Sequence, residues 1–344
     1  MSPLKTFALQ MLTLPGVDTI FSPFTRGRAA VFMLHRFRSA SPEQYYHNVS
    51  GVRRALAHLR RQECPILSLE HLLRLSMSGS QIPDGAVAFT IDDGYADQAA
   101  IAGPAFAEFD CPVTTFVTTG FLDGQLWFWW DRIDFVFRWT QRRWLRLELG
   151  GAVLEYRWSN DAERARAQTD FTNRCKLVPD AVKHAGIEHL AEEADVSLPT
   201  RPPSEYMPMT WDQLRAAERH GMSFGAHTVT HPILSRVSDE AARWELSESW
   251  RRLQAEAREP VPIFCYPNGG PDDFSSREIG ILKQLGFIGA VVGSEGYLCD
   301  GEIRRNEREQ FVIRRFPFPD DLAHLTQYVG GAERAKSLLR GVAR

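Results

Sequence analysis

Short apolar runs alternate with longer amphipathic stretches along most of the chain. The apolar runs are rich in β-branched and aromatic residues and predict strands, and the stretches between them predict helices. The predicted strands are Ala29–Phe37, Ile66–Leu69, Ala86–Ile91, Cys111–Thr118, a run from Ser223, a run around Phe264, Phe287–Val292 and Phe311–Phe316. The predicted helices are Pro42–Arg61, Glu70–Met77, Ala96–Phe109, Ser238–Glu259 and Arg277–Leu285. This order favours an α/β fold in which a parallel sheet closes into a (β/α) barrel, with the site at the carboxyl ends of the strands.

Residues 121–203 break this order and predict a Trp-rich α+β insertion. Trp144–Leu149 and Val153–Trp158 alternate on either side of a Gly-Gly pair, which indicates a hairpin, and Asp161–Leu198 is a charged helical run that can cap the cleft. Trp127, Trp129 and Trp130 are among the five tryptophans of its first part, and they either pack together or stack on sugar rings. The expected division is a segment 1–28, a barrel 29–330 that contains the insertion, and a C-terminal helix 331–344.

Length and charge exclude some classes of protein. A chain of 344 residues fits one α/β barrel or two domains, and a net charge of −3 with scattered arginines disfavours a nucleic-acid partner. Five widely spaced cysteines without a CxxC pattern argue against a disulfide framework or a cysteine zinc site and indicate buried thiols.

The N-terminal segment 1–28 contains apolar stretches that Gln10, Pro15 and Asp18 interrupt. We find no signal peptide or transmembrane span in the sequence, so the expected location is the cytoplasm. The segment is either a helix packed on the domain or an amphipathic helix on a membrane surface. The sequence leaves the oligomeric state open.

Two adjacent carboxylates end the strand predicted from Ala86. Asp92 and Asp93 come directly after the apolar run, and Gly94 permits a sharp exit. Neighbouring anions repel unless a positive charge lies beside them, and a divalent metal is a common reason for such a pair. A solvated Asp-Asp-Gly turn is the alternative interpretation.

A histidine pair follows the strand predicted from Ser223. His227 and His231 are four residues apart and Pro232 closes the segment. On one helical turn both imidazoles would share a face and reach one ion. One aspartate and two histidines leave positions open for water and substrate, as in a catalytic metal site.

These two segments resemble the motifs of the polysaccharide deacetylases, also called carbohydrate esterase family 4 or the NodB-homology domain. Thr90–Gly94 resembles the T-(F)-D-D-G motif, and His227–Pro232 resembles the H-(S/T)-x-x-H-P motif. The resemblance implies a deformed (β/α) barrel in which Asp92 is the catalytic base and Asp93, His227 and His231 bind one divalent metal ion, most commonly zinc.

Ile263–Gly269 lies where the family's third motif is expected, and it departs from that motif. Cys265 stands where an arginine usually orients the base, and Asn268 falls at the position whose backbone N–H helps to bind the oxyanion. Arg315 resembles an arginine that many members carry near this point and could orient the base instead, although exposed ion pairing explains paired arginines equally well.

The family's C-terminal histidine motif is missing, because the only histidine after Pro232 is His324, in a helix-like segment. In the circularly permuted biofilm-polysaccharide branch, an N-terminal strand supplies this histidine. Met33–Arg36 resembles that strand end, with Leu34 in place of the aromatic residue, and makes His35 the candidate general acid. A core histidine with a backbone partner is the alternative.

The resemblance implies hydrolysis of N-acetyl groups on an amino-sugar glycan or glycan precursor in surface-polysaccharide metabolism. Two alternatives remain open. The chain could hydrolyse another non-peptide carbon–nitrogen bond, on a small or a lipid- or nucleotide-linked sugar. It could also be an inactive carbohydrate-binding relative, although that reading gives no reason for Asp92, Asp93, His227 and His231 to occur together.

Overall fold

The structure is a computed structural model that describes residues 21–38 and 46–339. Most of the predicted segment 1–28, the first residues of the helix predicted from Pro42, and residues 340–344 of the predicted C-terminal helix lie outside the described residues.

The strands of the described part of the chain are β1 (Arg28–Leu34), β2 (Arg36–Arg38), β3 (Tyr46–Asn48), β4 (Ala86–Asp93), β5 (Val113–Val117), β6 (Trp144–Leu149), β7 (Ala152–Arg157), β8 (Met222–Ala226), β9 (Ile263–Cys265), β10 (Gly289–Val291), β11 (Tyr297–Cys299) and β12 (Phe316–Pro317).

The helices are α1 (Val49–Arg61), α2 (Leu69–Ser78), α3 (Gly103–Ala107), α4 (Thr119–Leu122), α5 (Trp129–Trp139), α6 (Asp161–Cys175), α7 (Asp180–Glu193), α8 (Trp211–Glu218), α9 (Asp239–Glu256), α10 (Ser276–Gln284), α11 (Glu302–Arg305), α12 (Leu322–Val329) and α13 (Ala332–Leu339). Short helical turns cover Ser22–Thr25, Gln98–Ala102, Ser204–Tyr206, Leu234–Arg236 and Glu307–Phe311.

One curved sheet carries the fold. Its strand order is β10-β9-β8-β5-β4-β1-β11, and neighbouring strands are parallel except where β11 runs antiparallel to β1. Every residue of β4 is buried, as expected for a central parallel strand covered on both faces. Because β4 lies between β1 and β5, the carboxyl ends of these three strands meet at one edge of the sheet.

The segment 313–317 connects the two sides of the sheet. Ile313 exchanges backbone hydrogen bonds with β10, where its N–H donates to Ala290 O (2.9 Å) and its carbonyl accepts from Val292 N (2.9 Å). A few residues later β12 pairs in parallel with Phe32 and Met33 of β1. The sheet therefore curls into a deformed (β/α) barrel, which confirms the predicted fold class.

Several predicted element bounds were wrong. The first strand stops at Leu34, and a separate short strand follows His35. The helix predicted from Pro42 begins at Val49, because Asn48 caps its first turn by accepting a hydrogen bond from Ser50 N. The strand predicted at Ile66–Leu69 is absent, because Ile66 makes only an isolated bridge to Val87. The run Asp161–Leu198 is helical as predicted, and it consists of two helices.

The insertion has a hydrophobic core of its own, separate from the cores on the two faces of the sheet. The predicted hairpin is present as β6 and β7, and its buried residues pack with helices α5, α6 and α7. The buried members of this core include Ile133, Phe137, Leu147, Phe171 and Leu190. The insertion is therefore a packed unit that can form one wall of a cleft.

In the described part of the chain, none of the helices combines the length and the apolar character that a membrane crossing requires.

Candidate active site

The two adjacent carboxylates at the end of β4 are buried and have different partners. The exposed fraction of Asp92 is 3% and that of Asp93 is 5%. Asp93 has a φ of 90° and Gly94 one of 99°, so the chain turns sharply where the strand ends. As a result, Asp92 contacts an arginine on one side and Asp93 faces the histidine pair on the other.

Arg315 forms a bidentate ion pair with Asp92. Its Nη1 lies 2.7 Å from Asp92 Oδ1 and its Nη2 lies 2.8 Å from Oδ2, and the arginine is 1% exposed. Arg315 also donates to Val292 O (3.0 Å) and Thr90 Oγ1 (3.0 Å), which holds the guanidinium plane. Burial alone raises the pKa of Asp92, but the guanidinium outweighs burial and holds that pKa well below its usual range.

The alternative interpretation of this arginine pair, ion pairing near the surface, applies to Arg314 but not to Arg315. Arg314 is half-buried and lies near Glu302 and Glu309, whereas Arg315 faces the interior. Cys265, at the position of the usual motif arginine, has its Sγ 3.3 Å from Arg315 Nη2 and 3.5 Å from Asp92 Oδ2. Burial raises the pKa of this thiol. Because Cys265 is small and uncharged, the space beside Asp92 is available to Arg315, which comes from another segment of the chain.

His227 and His231 do not lie on a helical turn, so that expectation was wrong. They belong to a loop after β8 in which Thr228 and His231 have positive φ values of 66° and 59°. The loop still brings the imidazoles together, with ring centroids 4.7 Å apart. His227 Nε2 lies 3.6 Å and His231 Nε2 3.7 Å from Asp93 Oδ1.

This donor set fits a divalent metal ion. One ligand atom from each of Asp93, His227 and His231 can be chosen so that all lie within 4.8 Å of one another, and ligands about 2.0–2.2 Å from zinc are separated by roughly 3.4 Å. His227 Nδ1 lies 2.7 Å from the carbonyl oxygen of Cys265, so Nδ1–H donation to this oxygen leaves Nε2 free to bind the ion. Burial lowers the pKa of His231 to about 3, which favours the neutral imidazole that ligation requires.

Glu245 of α9 holds the histidine loop in place. Its carboxylate accepts hydrogen bonds from Val229 N (2.7 Å) and Thr230 N (2.9 Å), and from the Thr230 hydroxyl. Of the seven non-glycine residues with positive φ in the described part of the chain, four belong to this site, namely Asp93, Thr228, His231 and Asn268. Such strained backbone persists only where surrounding contacts hold it, and it is frequent at functional sites. Sequence analysis missed Glu245, which looks like any charged residue of an amphipathic helix.

His35 lies beside Asp92 because β1 and β4 are paired in register. Leu34 is opposite Ile91, so the next residues of the two strands are neighbours. His35 Nε2 lies 3.8 Å from Asp92 Oδ2, and its side chain is 44% exposed, so the imidazole faces the cleft. Gln98, also missed by sequence analysis, donates from Nε2 to the carbonyls of His35 (2.7 Å) and Asp92 (2.5 Å) and fixes both strand ends.

Asn268 lines the same cleft. It has a φ of 56°, and among the described residues none accepts a hydrogen bond from its backbone N–H. Its neighbour Gly269 has no room for a side chain, since a Cβ there would lie 2.5 Å from Gly293 N. The close approach of these two segments holds the Asn268 turn at the cleft.

The cleft above these residues has a volume of about 700 Å³. Strand ends form its floor, and α5 and α6 of the insertion form one wall. Trp129 and Trp130 line it, whereas Trp127 lies outside its lining and packs against Phe135 and Tyr206. The insertion therefore borders the space that a ligand would occupy.

Comparison with known proteins points to one family. A family model described as polysaccharide deacetylase matches residues 187–289, which contain His227, His231, Cys265 and Asn268. Residues 187–289 therefore resemble a polysaccharide deacetylase domain. This match confirms the predicted resemblance to the family and the predicted class of enzyme, a hydrolase of carbon–nitrogen bonds other than peptide bonds. Membership of the permuted branch stays a prediction.

Solved structures with this fold include three deacetylases. The Streptococcus pyogenes deacetylase PplD, solved with acetate, has a TM-score of 0.57 at 16% identity and covers 90% of this chain and 98% of its own. IcaB from Ammonifex degensii has a TM-score of 0.56 at 14% identity, covering 88% of this chain and 97% of its own. A de-N-acetylase from Aggregatibacter actinomycetemcomitans has a TM-score of 0.54 at 13% identity, covering 88% and 99%. At these identities the likeness shows a shared fold. A search of curated proteins finds no significant match.

The different partners of the two adjacent carboxylates predict different effects when each is replaced. Asp93→Ala and His231→Ala should lose both bound metal and activity, because each removes one of the three candidate ligands. Asp92→Asn should retain metal and lose turnover, because Asp92 is paired with Arg315 and is not one of the three candidate ligands. Elemental analysis of the purified variants measures this, and an Asp92→Asn protein that is purified without metal would reverse the assignment.

Replacement of Arg315 should separate turnover from metal binding. Arg315→Lys keeps the charge but loses the two-pronged contact that orients Asp92, so kcat should fall by about 10-fold or more while metal content stays unchanged. Arg315→Ala should in addition lower the free energy of unfolding by about 3–5 kcal/mol, because it leaves a buried carboxylate unpaired. Arg314→Lys is the matched control on the neighbouring residue. Equal kcat losses for Arg314→Lys and Arg315→Lys would contradict the proposed role.

Proposed function

We propose that this protein is a metal-dependent hydrolase that removes N-acetyl groups from an amino-sugar glycan or glycan precursor in surface-polysaccharide metabolism. The observation that carries the proposal is the partition of the two carboxylates at the end of β4. One is paired with a buried arginine and borders the cleft, and the other completes a group of three side chains that could hold a metal ion. The domain match and the shared fold of solved deacetylases support the same class of reaction.

Asp93, His227 and His231 would hold the ion. A carboxylate with two imidazoles suits zinc, which when bound polarises an acyl oxygen and lowers the pKa of water. His227 keeps Nε2 directed at this position because the Cys265 carbonyl lies at its Nδ1. Zinc as the ion and the three residues as its ligands are both part of the proposal.

The protein's own groups then have separate tasks. Asp92, ionised and held by Arg315, accepts the proton of the attacking water. The exposed backbone N–H of Asn268 donates to the oxygen that gains negative charge as the acyl carbon becomes tetrahedral. His35 donates a proton to the amine as it leaves, because an amine is a poor leaving group without one.

The acyl group that is released tests the proposal against its alternatives. The zinc-loaded protein should release acetate from N-acetylated amino-sugar oligosaccharides or their lipid- or nucleotide-linked precursors. Release of formate or of a ring-opened acid would favour another carbon–nitrogen hydrolase. Sugar binding without any release would favour a carbohydrate-binding relative. The expected cytoplasmic location, the possible contact with a membrane surface and the oligomeric state stay open to experiment.

His35→Ala should leave metal content and the folded state unchanged and lower kcat on an N-acetyl sugar by about 10²–10⁴-fold, the usual contribution of a positioned proton donor. Hydrolysis of p-nitrophenyl acetate should be largely spared, because its leaving group needs no proton. Acetate release and nitrophenolate absorbance measure the two rates.

His47→Ala is the matched control for His35. His47 also lines the cleft, but burial and the neighbouring His35 lower the pKa of His47 to about 4, so it is neutral near neutral pH. Its replacement should leave the ratio of amide to ester hydrolysis unchanged. Equal losses on amide and ester in His35→Ala would indicate a structural histidine, and an amide-specific loss in His47→Ala would move the acid to that residue.

A further inference from the structure

The insertion places a buried carboxylate in the wall of the cleft. Asp131 lies in the first turn of α5, is 5% exposed and lines the cleft beside Trp130. None of the tasks assigned above uses it. A carboxylate this deeply buried is costly unless its oxygens are satisfied, so its partners need explanation.

A chain of side chains orients Asp131. Trp130 Nε1–H donates to Tyr95 Oη (3.0 Å), so the Tyr95 hydroxyl directs its own proton to Asp131 Oδ2 (2.7 Å). The Arg36 guanidinium lies 3.7 Å from the centre of the Tyr95 ring and holds this tyrosine from the other side. One oxygen of Asp131 is thus fixed by groups from the barrel and from the insertion.

The other oxygen is left for a ligand. Among the described residues, none donates a hydrogen bond to Asp131 Oδ1. Burial raises the pKa of Asp131 to about 8, with Asp134 and Asp93 acting in the same direction against Arg36 and Tyr95. Near neutral pH this oxygen can therefore either accept a hydrogen bond or, when protonated, donate one.

Asp134, one turn further along α5, lines the same cleft and shows the contrast. Its Oδ1 accepts from Gln168 Nε2 (3.0 Å), and its Oδ2 accepts from the Tyr206 hydroxyl and lies 3.2 Å from Arg138 Nη2. The hydrogen-bonding needs of Asp134 are met within the protein. Only Asp131 presents an unsatisfied carboxyl oxygen from this helix.

The residue next to Asp131 in α5 lies against one of the proposed metal ligands. The ring centroid of Trp130 lies 4.6 Å from that of His231. The charge of Asp93 contributes to the raised pKa of Asp131. A sugar whose acetamido group reaches Asp92 and the metal ligands therefore has its ring near α5. Ring hydroxyls are the groups of such a substrate that could meet Asp131 Oδ1.

We propose that Asp131 is a substrate-binding residue whose cleft-facing oxygen forms a hydrogen bond with one ring hydroxyl of the amino sugar. The inference rests on the proposed function for the class of substrate. It makes the insertion a determinant of which hydroxyl pattern the cleft accepts, because Asp131 and Trp130 come from the insertion while the reacting groups come from the barrel.

The test compares four substrates with three proteins. The substrates are the methyl glycoside of N-acetylglucosamine and its 3-, 4- and 6-deoxy forms, and the proteins are the zinc-loaded wild type, Asp131→Ala and Asp134→Ala. In the wild type, loss of one particular hydroxyl should lower kcat/KM by about 10- to 100-fold. Asp131→Ala should hydrolyse that deoxy glycoside and the parent at equal rates. Asp134→Ala should keep the wild-type discrimination although its melting temperature falls.

Persistent discrimination in Asp131→Ala, or a wild type that treats all four glycosides alike, would overturn the inference and leave Asp131 a structural residue. Should Asp131→Ala fail to fold, Tyr95→Phe serves instead, because it frees Asp131 Oδ2 and should weaken the same discrimination. If the wild type releases acetate neither from these glycosides nor from the oligosaccharides and linked precursors named above, the proposed function fails. In that case, dissociation constants measured by NMR titration of the same glycosides test the inference. Removal of one particular hydroxyl should weaken binding to the wild type and to Asp134→Ala, but not to Asp131→Ala.

Discussion

Two negative charges on adjacent buried residues are the constraint on which this site depends. Asp92 and Asp93 could not both remain ionised at the end of β4 if they shared one environment. The backbone turn at Asp93 separates them, so Arg315 compensates one charge and the position between His227 and His231 is available to compensate the other. The cleft, the strained histidine loop and the arginine are all arranged around this separation.

The supporting contacts come from distant parts of the chain. Glu245 of α9 holds the histidine loop, Gln98 joins the ends of β1 and β4, and the Cys265 carbonyl on β9 orients His227. Groups like these that fix a metal-binding imidazole normally matter almost as much as the ligands themselves. The geometry of the site is thus a property of the whole sheet and not of the two short motifs alone.

Sequence patterns predicted the parts of this arrangement that depend on local order. An apolar run that ends in carboxylates indicates a strand end, and the parallel order of strands predicts a site at the edge where His35 and Asp92 lie side by side. The helical interpretation of the histidine pair was wrong, because spacing alone cannot reveal a loop held by Glu245. The position of Arg315 could not be derived physically either, since it depends on the pairing of residues far apart in the chain.

The segment that joins β10 to β1 also carries the arginine that compensates Asp92. During synthesis on the ribosome, the strands bearing Asp92, Asp93 and the histidine pair emerge well before this segment does. A nascent chain at that stage has its candidate ligands but holds an uncompensated carboxylate, which favours protonation or a displaced strand end over the finished geometry. The finished geometry around Asp92 would therefore form late, when this span docks against β1 and β10, and a partly translated polypeptide would lack it.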